Sequence, residues 1–234
     1  MTTSAPRTVR ARARDELTRE IREVARRQLA EHGSDGLSLR AVARELGMVS
    51  SAVYRYYPSR DELLTALIIE AYDAVGEAAE QAEAAVRRSD HAGRWLAMAR
   101  AVRGWASQHP QQYALIFGSP VPGYQAPPDT VDPATRIPLL LLVILDDASA
   151  AGRAAPPADR PIPRSVRRDL KALRTLVGSD LPEHQLGRAV MAWTQLIGSI
   201  SFELFGHLKG AVVDYQAYFD YQMGRIGHGL GLAA

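Results

Sequence analysis

Hydrogen-bond donors suited to phosphate groups and base edges are concentrated in one stretch of the first quarter of the chain. The stretch carries guanidinium, hydroxyl and phenol groups at Ser38, Arg40, Arg44, Ser50, Ser51, Tyr54, Arg55, Tyr56 and Arg60. Such groups bind phosphate oxygens, and arginine and serine can also bond to base edges in a major groove. Ala52, within the stretch, can meet a thymine methyl group. The chemistry indicated is recognition of a nucleic-acid surface.

Several of these positions indicate separate roles. By its chemistry Arg55 is a bidentate guanine reader, and Ser51 can bond to a base edge or a phosphate. Arg60 lies near the start of a predicted helix, where its charge and the helix N-terminus both attract phosphate. Ser38 begins another predicted helix, so its hydroxyl could cap that helix, contact a phosphate or do both. Arg44 could contact a phosphate or carry a solvated charge.

Residue patterns elsewhere do not predict catalysis, a cofactor or a metal site. The six histidines show neither an HExxH pattern nor paired metal-ligand spacing, and the chain has no cysteine. Ser119 and Ser199 lie outside a G-x-S-x-G nucleophile motif. The glycine-rich run at 227–231 follows no predicted strand, so we expect a frayed tail there and not a phosphate-binding loop. The sequence therefore predicts a protein that is not an enzyme.

Short helices must position the polar stretch. Four apolar residues recur on one helical face: Leu39, Val42, Ala43 and Leu46. Gly47 can end that helix in the left-handed conformation. The next helix is predicted over about 51–57, with Ser50 or Ser51 as its N-cap. Val53 and Tyr57 are spaced to face the core of the domain.

The positions of Ala43, Gly47 and Val53 fit a helix-turn-helix. That motif requires a small residue where its helices touch, a glycine in the turn and a branched apolar residue where the second helix packs back. It lets the second helix enter a DNA major groove. An ordinary helical hairpin in a bundle remains the alternative. A preceding amphipathic helix, from about Leu17 to before Gly33, completes a predicted three-helix domain over residues 1–60.

Positive charge is concentrated in the same domain. Residues 1–60 have a balance of +5 and residues 61–234 a balance of −3, which together give the net charge of +2. A basic N-terminal quarter is typical of a DNA-binding domain, although a solvated basic helix would give the same balance. We expect residues 1–10 to be disordered. Arg7, Arg10, Arg12 and Arg14 could reach DNA phosphates or the minor groove.

The first quarter of the chain contains a series of spaced residues and short segments: Gly33, Gly36-Leu37-Ser38, Val42-Ala43-Arg44-Glu45-Leu46-Gly47, Val53-Tyr54-Arg55-Tyr56-Tyr57 and Ser59-Arg60-Asp61-Glu62-Leu63-Leu64. The run that contains them resembles the DNA-binding domain of the TetR family of transcriptional regulators. The family more often has Phe where Tyr57 stands and Lys where Arg60 stands, and both replacements keep the chemistry. The resemblance implies that this domain binds a double-stranded DNA operator. It also implies that the helix after it, from about Asp61 to beyond Val75, transmits a signal.

The resemblance assigns further roles in the polar stretch. Positions that match Arg40 often reach a base or a phosphate, and those that match Tyr54 and Tyr56 often touch the DNA backbone. The position of Arg55 often faces away from the bases, so the resemblance and the chemistry disagree at this residue. Ser50, with Ser51 and Ala52, is left for the DNA side of the second helix or its flanks.

Residues 61–234 are interpreted as a second helical domain, for ligand binding and dimerisation. Its last two helices, about 183–208 and 214–230, have apolar faces too broad for one partner, and they contain glycines that permit close approach. Such a pair predicts a four-helix homodimer interface, with burial inside the monomer as the alternative.

The second domain also resembles a C-terminal domain of the same family marked by a Trp-x-x-x-His-Gly pattern. In this chain Trp193 is followed by Ile197-Gly198, so Ile replaces the His. We expect a small, largely apolar effector to bind in this domain. The candidate lining residues are Trp95, Trp105, Tyr113, Phe117, Trp193 and Phe202, each of which could instead be plain core.

The sequence thus predicts an all-α regulator. No run of about 18 uncharged apolar residues is present, so we expect no membrane span, and a cytoplasmic location follows from this and the absent signal peptide. The prediction is a homodimeric repressor of a near-palindromic operator that a ligand releases. The alternatives are a ligand-responsive activator, a ligand-independent repressor, and a helical binding or scaffolding protein that does not touch DNA.

Overall fold

The computed structural model describes residues 9–33, 36–153 and 161–232. These residues form ten α-helices and a 3₁₀ turn at Pro128–Thr130, and no strand occurs among them. The helices are α1 (Val9–His32), α2 (Leu39–Glu45), α3 (Ser50–Tyr54), α4 (Arg60–Ala84), α5 (His91–Gln108), α6 (Pro110–Phe117), α7 (Val131–Ala150), α8 (Arg164–Val177), α9 (Glu183–Leu204) and α10 (Tyr215–Gly229). The all-α prediction is confirmed. Within the described ranges, no helix is both long enough and apolar enough to cross a bilayer.

The chain divides into two compact units. The head unit comprises Met1–Ala71 and Gln111–Thr130, and the body unit comprises Tyr72–Pro110 and Val131–Ala234. The division differs from a boundary after residue 60, because the first part of α4 belongs to the head unit and its remainder to the body unit. The segment 111–130 joins the head unit, where the hydroxyls of Thr65 and Tyr124 form a hydrogen bond of 2.9 Å.

The first helix is longer than the sequence indicated. It begins at Val9, so Arg10, Arg12 and Arg14 lie on a helix and not in a flexible arm. Residues 9–16 contain no Gly or Pro and are mostly good helix formers, which explains the extension. The remainder of the predicted arm, residues 1–8 with Arg7, lies outside the described residues.

Apolar residues at helical spacing form the core of the head unit. They come from α1, α2, α3 and the first part of α4, namely Ile21, Val24, Ala25, Leu39, Val42, Ala43, Val53, Leu63, Leu64 and Leu67. The longer helices supply most of this buried area, and the five-residue α3 contributes only Val53. The short helix is therefore held against the unit through few residues, which leaves its other sides open.

Helix α5 lies at the centre of the body unit, where it contacts α7, α9 and α10. Trp95 of α5 is buried, and its indole Nε1 donates a hydrogen bond of 2.8 Å to the carbonyl of Met223 in α10. A Cβ placed on Gly227 would lie only 3.0 Å from Trp95 Cδ1, so the glycine permits the close approach of the two helices. The end of α10 is not frayed, because Leu230 and Leu232 are buried and Leu232 N–H donates to Gly227 O at 2.9 Å.

A buried charge cluster connects α4, α5 and α7. Arg94 is fully buried, and its Nε donates to Glu83 Oε1 at 2.5 Å while its Nη1 donates to Asp147 Oδ2 at 2.8 Å. Arg88, which is mostly exposed, bonds to the same two carboxylates at 2.9 and 2.8 Å. Two guanidinium groups thus balance two carboxylates, as a buried charge requires.

Candidate nucleic-acid interface

Hydrogen bonds of the backbone build the turn between α2 and α3. Gly47 has a φ of +66°, the left-handed conformation that a Cβ would strain. Gly47 N–H donates to Arg44 O at 3.2 Å, and Met48 N–H donates to Ala43 O at 2.9 Å. The predicted role of Gly47 in ending α2 is confirmed, and the turn sets the direction in which α3 leaves.

The N-cap of α3 differs from the prediction. The cap residue is Val49, whose extended backbone places its carbonyl to accept a bond of 2.9 Å from Ala52 N–H. Ser50 and Ser51 therefore lie in the first turn of the helix and do not cap it. Ser38 occupies the N-cap position of α2, but its side chain makes no capping hydrogen bond. Of the two roles predicted for the Ser38 hydroxyl, only the phosphate contact remains.

The core-facing side of the motif matches the sequence prediction. Val53 is fully buried, as are Val42 and Ala43 on α2. Tyr57 is also buried, and its hydroxyl accepts a hydrogen bond of 2.7 Å from Nε of Arg22 on α1. A phenylalanine could fill the same space but could not accept this bond, so the Tyr57 hydroxyl adds a polar contact between α1 and the segment after α3.

All ten predicted DNA-contact residues reach the surface of the head unit. Five are exposed, namely Arg40, Arg44, Ser51, Tyr54 and Arg55. Five are half-buried, namely Ser38, Ser50, Ala52, Tyr56 and Arg60. Within α2 and α3, the residues that pack the helices into the unit and the residues proposed to bind DNA are therefore different sets.

Arg60 lies at the N-terminus of α4, as predicted. Its Nη1 is 3.6 Å from Asp61 Oδ1. The preceding Ser59 accepts a bond of 3.1 Å from the backbone N–H of Glu62, so the capping half of the predicted Ser59 and Glu62 pattern is present. This cap fixes where α4 begins and places Arg60 in its first turn.

The arginines of the head unit differ in whether they have a carboxylate partner. Arg19, Arg26 and Arg27 are paired with carboxylates of the same unit, and the hydrogen bond from Arg27 lowers the pKa of the Glu45 carboxyl. By contrast, Arg40, Arg44 and Arg55 have no carboxylate partner within the described residues. The α2–α3 surface therefore keeps uncompensated positive charge where the polar stretch is exposed.

Two features of this surface were not predicted. The guanidinium of Arg14 on α1 lies over the ring of Tyr56, 5.6 Å from the ring centroid, and thus adds a cation beside a predicted phosphate contact. Val49 is 72% exposed at the N-terminus of α3. Nothing in the sequence marks Val49 as the N-cap of α3, because valine is a poor capping residue.

The six predicted ligand residues lie in different environments. Trp95, Trp105 and Tyr113 are buried, and Phe117 is half-buried. Trp193 lines an apolar cavity of about 260 Å³ between α7, α8 and α9, whereas Phe202 lines a separate groove between α9 and α10. Most of the cavity lining is aliphatic, from Pro138, Leu139, Leu141, Leu142, Leu173, Leu176, Val177, Leu186, Ala189 and Val190. The aliphatic lining was not predicted, because it comes from three consecutive helices whose packing together is not apparent from the spacing of their apolar residues.

The last two helices expose large apolar side chains. Met191 and Phe202 of α9 are 59% and 54% exposed, and Tyr221 of α10 is 64% exposed. The groove between the two helices has a volume of about 440 Å³ and also contains the polar residues Gln195, Gln222 and Arg225. The apolar excess predicted for these helices is therefore present on the surface of the body unit.

Comparisons with known proteins agree with this architecture. Residues 21–67 match the family model of bacterial regulatory proteins of the tetR family, and residues 95–226 match that of the tetracyclin repressor-like C-terminal domain. The HTH-type transcriptional regulators Rv1816 of Mycobacterium tuberculosis and Mb1846 of Mycobacterium bovis are each 43% identical over 215 residues, which covers 90% of this chain and 90% of theirs.

Solved structures show the same similarity. The crystal structure of SCO4313 is 35% identical, with a TM-score of 0.76 over 95% of this chain and 98% of that one. A structure from Rhodococcus sp. RHA1, at 24% identity and a TM-score of 0.71 over 92% of this chain and 95% of that one, shares the fold. Together with the helix-turn-helix geometry, these matches show that the chain belongs to the TetR family of DNA-binding transcriptional regulators, which are not enzymes.

Proposed function

We propose that the protein is a repressor that binds a near-palindromic operator as a homodimer and is released by a small, largely apolar ligand. The observation that carries the DNA-binding part is the exposed α2–α3 surface, where Arg40, Arg44 and Arg55 lack carboxylate partners in the described residues. Positive charge without an internal partner attracts a phosphate backbone, and the accessible residues beside it can contact bases.

In the proposed complex, α3 enters the major groove. Ser51 and Ala52 lie in its first turns and meet base edges, while Arg40 of α2 contacts a base or an adjacent phosphate. Tyr54 and Tyr56 donate their hydroxyls to the backbone on either side. Ser38, Arg44, Ser50, Arg55 and Arg60 supply the remaining contacts of the surface.

Dimerisation is proposed through α9 and α10. The exposed apolar side chains of these helices need cover in water, and a second copy of the same pair would provide it in a four-helix arrangement. Two copies of α3 would then read two half-sites of opposite orientation, which explains the expectation of a near-palindromic operator. An effector that binds the DNA-incompetent form more tightly would weaken operator binding by reciprocal linkage.

The direct test uses DNA that flanks the protein's own coding region. The purified chain should protect an inverted repeat in that DNA from nuclease digestion, with an affinity that falls steeply as the salt concentration rises. Transcription from the protected promoter should fall when the protein is added. A rise in transcription would replace the repressor by an activator, and absence of protection at low salt would contradict the proposal.

A further inference from the structure

The cavity between α7, α8 and α9 has a lining suited to hydrocarbon. Eleven of its residues are aliphatic or aromatic, and the only hydroxyl among the lining side chains, on Thr135, already donates to Asp132 O at 3.0 Å. Apolar pockets of this kind bind a ligand by removing its surface from water and supply no ionic contact. The lining therefore selects an uncharged ligand portion.

The rim of the cavity is incompletely covered. Leu176 of α8 is 83% exposed, and Leu139 of α7 and Val190 of α9 are partly exposed. Three aliphatic side chains from three helices thus meet water around one opening. A ligand that fills the cavity would cover part of this surface, which adds favourable apolar burial to binding.

Two basic residues of α8, Arg168 and Lys171, do not face the cavity. Leu173, Leu176 and Val177 share one side of the helix, whereas Arg168 and Lys171 project from the opposite side at helical spacing and are exposed. The basic character of α8 therefore gives no reason to expect an anionic group inside.

One residue connects the wall of the cavity to α4. Arg136 stands on α7 between two lining residues, Thr135 and Pro138. Its Nε and Nη2 donate to the two oxygens of Glu80 at 2.9 and 2.7 Å, and its Nη1 donates to the carbonyl and carboxylate of Asp73 at 3.0 Å each. The guanidinium thus binds α4 at two sites two turns apart.

Gly76 allows this contact. A Cβ at Gly76 would lie 2.8 Å from Arg136 Nε, so the guanidinium lies directly against the backbone of α4. The hydrogen bond from Arg136 also lowers the pKa of the Glu80 carboxyl, which keeps the pair ionised at neutral pH. Helix α4 begins at residue 60, and its part up to residue 71 belongs to the head unit. A displacement of the start of α7 would therefore act on a helix that is shared with the head unit.

We propose that this cavity is the effector site, that it takes an uncharged aliphatic ligand, and that Arg136 couples its occupancy to α4. The inference rests on the proposed function, because it names the ligand class and the route of regulation for that function. Trp193 is the one aromatic residue of the predicted set that belongs to the site.

The binding part is tested with 1-decanol on the full chain. Decanol should raise the melting temperature of the wild-type protein, and decyltrimethylammonium, which has the same chain and a charged end group, should raise it less. Ala189→Leu fills the cavity and should abolish the decanol shift, whereas Thr175→Leu, on the exposed side of α8 that carries Arg168 and Lys171, should retain it. Equal shifts in both variants, or no shift in the wild type, would overturn the assignment of the site.

The coupling part is tested on the operator fragment that the protein protects. Decanol should lower the operator affinity of the wild type by about tenfold, within the usual range of coupling between two sites. Arg136→Met should bind decanol as before but show less than about half of that effect on a logarithmic scale. Arg136→Lys, which keeps the charge and loses the fork of donors, serves if the Met variant does not fold. A wild-type response in a folded Arg136 variant would contradict the coupling role.

The two proposals can fail separately. If the protein protects an operator but decanol neither binds nor releases it, the repressor proposal stands and the site assignment falls. If no DNA is protected while decanol binds and Ala189→Leu prevents it, the cavity is a ligand site and the repressor proposal falls.

Discussion

Tyr57 stabilises the head unit through both its ring and its hydroxyl group. Its ring fills core space after α3, and its hydroxyl accepts a bond from Arg22 on α1. The core position of Tyr57 could be predicted from its spacing to Val53. The bond to Arg22 could not, because 35 residues separate the two in the chain.

Replacing Tyr57 with Phe should lower the free energy of unfolding by about 0.5–1.5 kcal/mol, the usual net value of one hydrogen bond. The ring stays buried, so DNA affinity should change little. Tyr54→Phe is the matched control, since Tyr54 is exposed and its hydroxyl should contribute to DNA affinity and not to stability. Urea unfolding and operator titration measure both effects, and an unchanged stability of Tyr57→Phe would show that water replaces the bond fully.

Arg40 and Tyr56 should affect DNA binding in different ways. Arg40→Ala removes a group proposed to contact a base, so it should reduce operator affinity and cost about 1–3 kcal/mol of discrimination against altered operators. Tyr56→Ala should weaken binding to all sequences about equally, since it removes a proposed contact with the DNA backbone and the ring beneath Arg14. Fluorescence anisotropy on intact and altered operators measures this difference.

Arg19→Ala controls for the loss of one positive charge. Arg19 is exposed on α1, is paired with Glu16 and is not among the proposed DNA contacts. The Arg19→Ala variant should lose much less operator affinity than the Arg40→Ala variant does. Similar losses in all three variants would mean that total charge, and not position, determines the affinity.

At the scale of helices, Gly227 determines how closely α10 approaches α5. Gly227→Ala places a Cβ 3.0 Å from Cδ1 of Trp95, which is buried and held by its bond to Met223. The ring has little room to move, so the variant should lose about 1–3 kcal/mol of stability through overpacking. Gly224→Ala, on the same helix with open space at its Cβ, should instead gain about 0.5–1 kcal/mol from helix propensity. Thermal unfolding compares the pair, and destabilisation of both to the same degree would contradict the packing argument.

The buried and exposed arginines of α5 should differ in their contribution to stability. Arg94→Met leaves Glu83 and Asp147 with only Arg88 and should destabilise the protein by about 3–5 kcal/mol. Arg100 forms an exposed bidentate pair with Asp220 at 2.8 and 2.9 Å, so Arg100→Met should cost at most about 1 kcal/mol. Chemical unfolding at neutral pH measures both values, and equal losses would show that burial does not decide them.

The Arg100 contribution should depend on pH. The hydrogen bond from Arg100 lowers the pKa of the Asp220 carboxyl, so the folded protein holds that proton less tightly than the unfolded chain does. Stability from this pair is therefore fully present above the ordinary carboxyl pKa of about 4 and is lost as the pH falls through the lowered value. The difference between the wild type and Arg100→Met should shrink over this acidic range, and a difference that grew on acidification would contradict the assignment.

Helices could be predicted from the sequence where the residues that define them lie close together in the chain. Gly47 and the apolar residues of α2 lie within a few positions of one another, so spacing alone predicts the turn. The helical start at Val9 and the N-cap at Val49 were missed, because neither position has a strong capping residue. The role of Trp95 was also missed, since its partner Met223 is 128 residues away.

At the scale of the whole molecule, the α9–α10 surface should control assembly. Tyr221→Glu places a charge among exposed apolar residues, so it should shift a dimer towards monomers as measured by sedimentation. Because each monomer can occupy one half-site only, operator affinity should fall sharply as well. Val166→Glu, on the partly exposed surface of α8, should leave the mass unchanged. A dimer that persists in Tyr221→Glu would place the interface elsewhere.

The separation of buried from accessible residues within α2 and α3 has a practical consequence for protein engineering. Folding uses Val42, Ala43 and Val53, which are sealed from water, while positions 49–52 contain accessible or partly accessible side chains. Because Ser50, Ser51 and Ala52 are proposed DNA contacts, a library randomised over positions 49–52 should alter sequence preference with little loss of stability. Under the proposed function, exchanging these four residues should target new promoters, while the remainder of the chain keeps the proposed response to an effector.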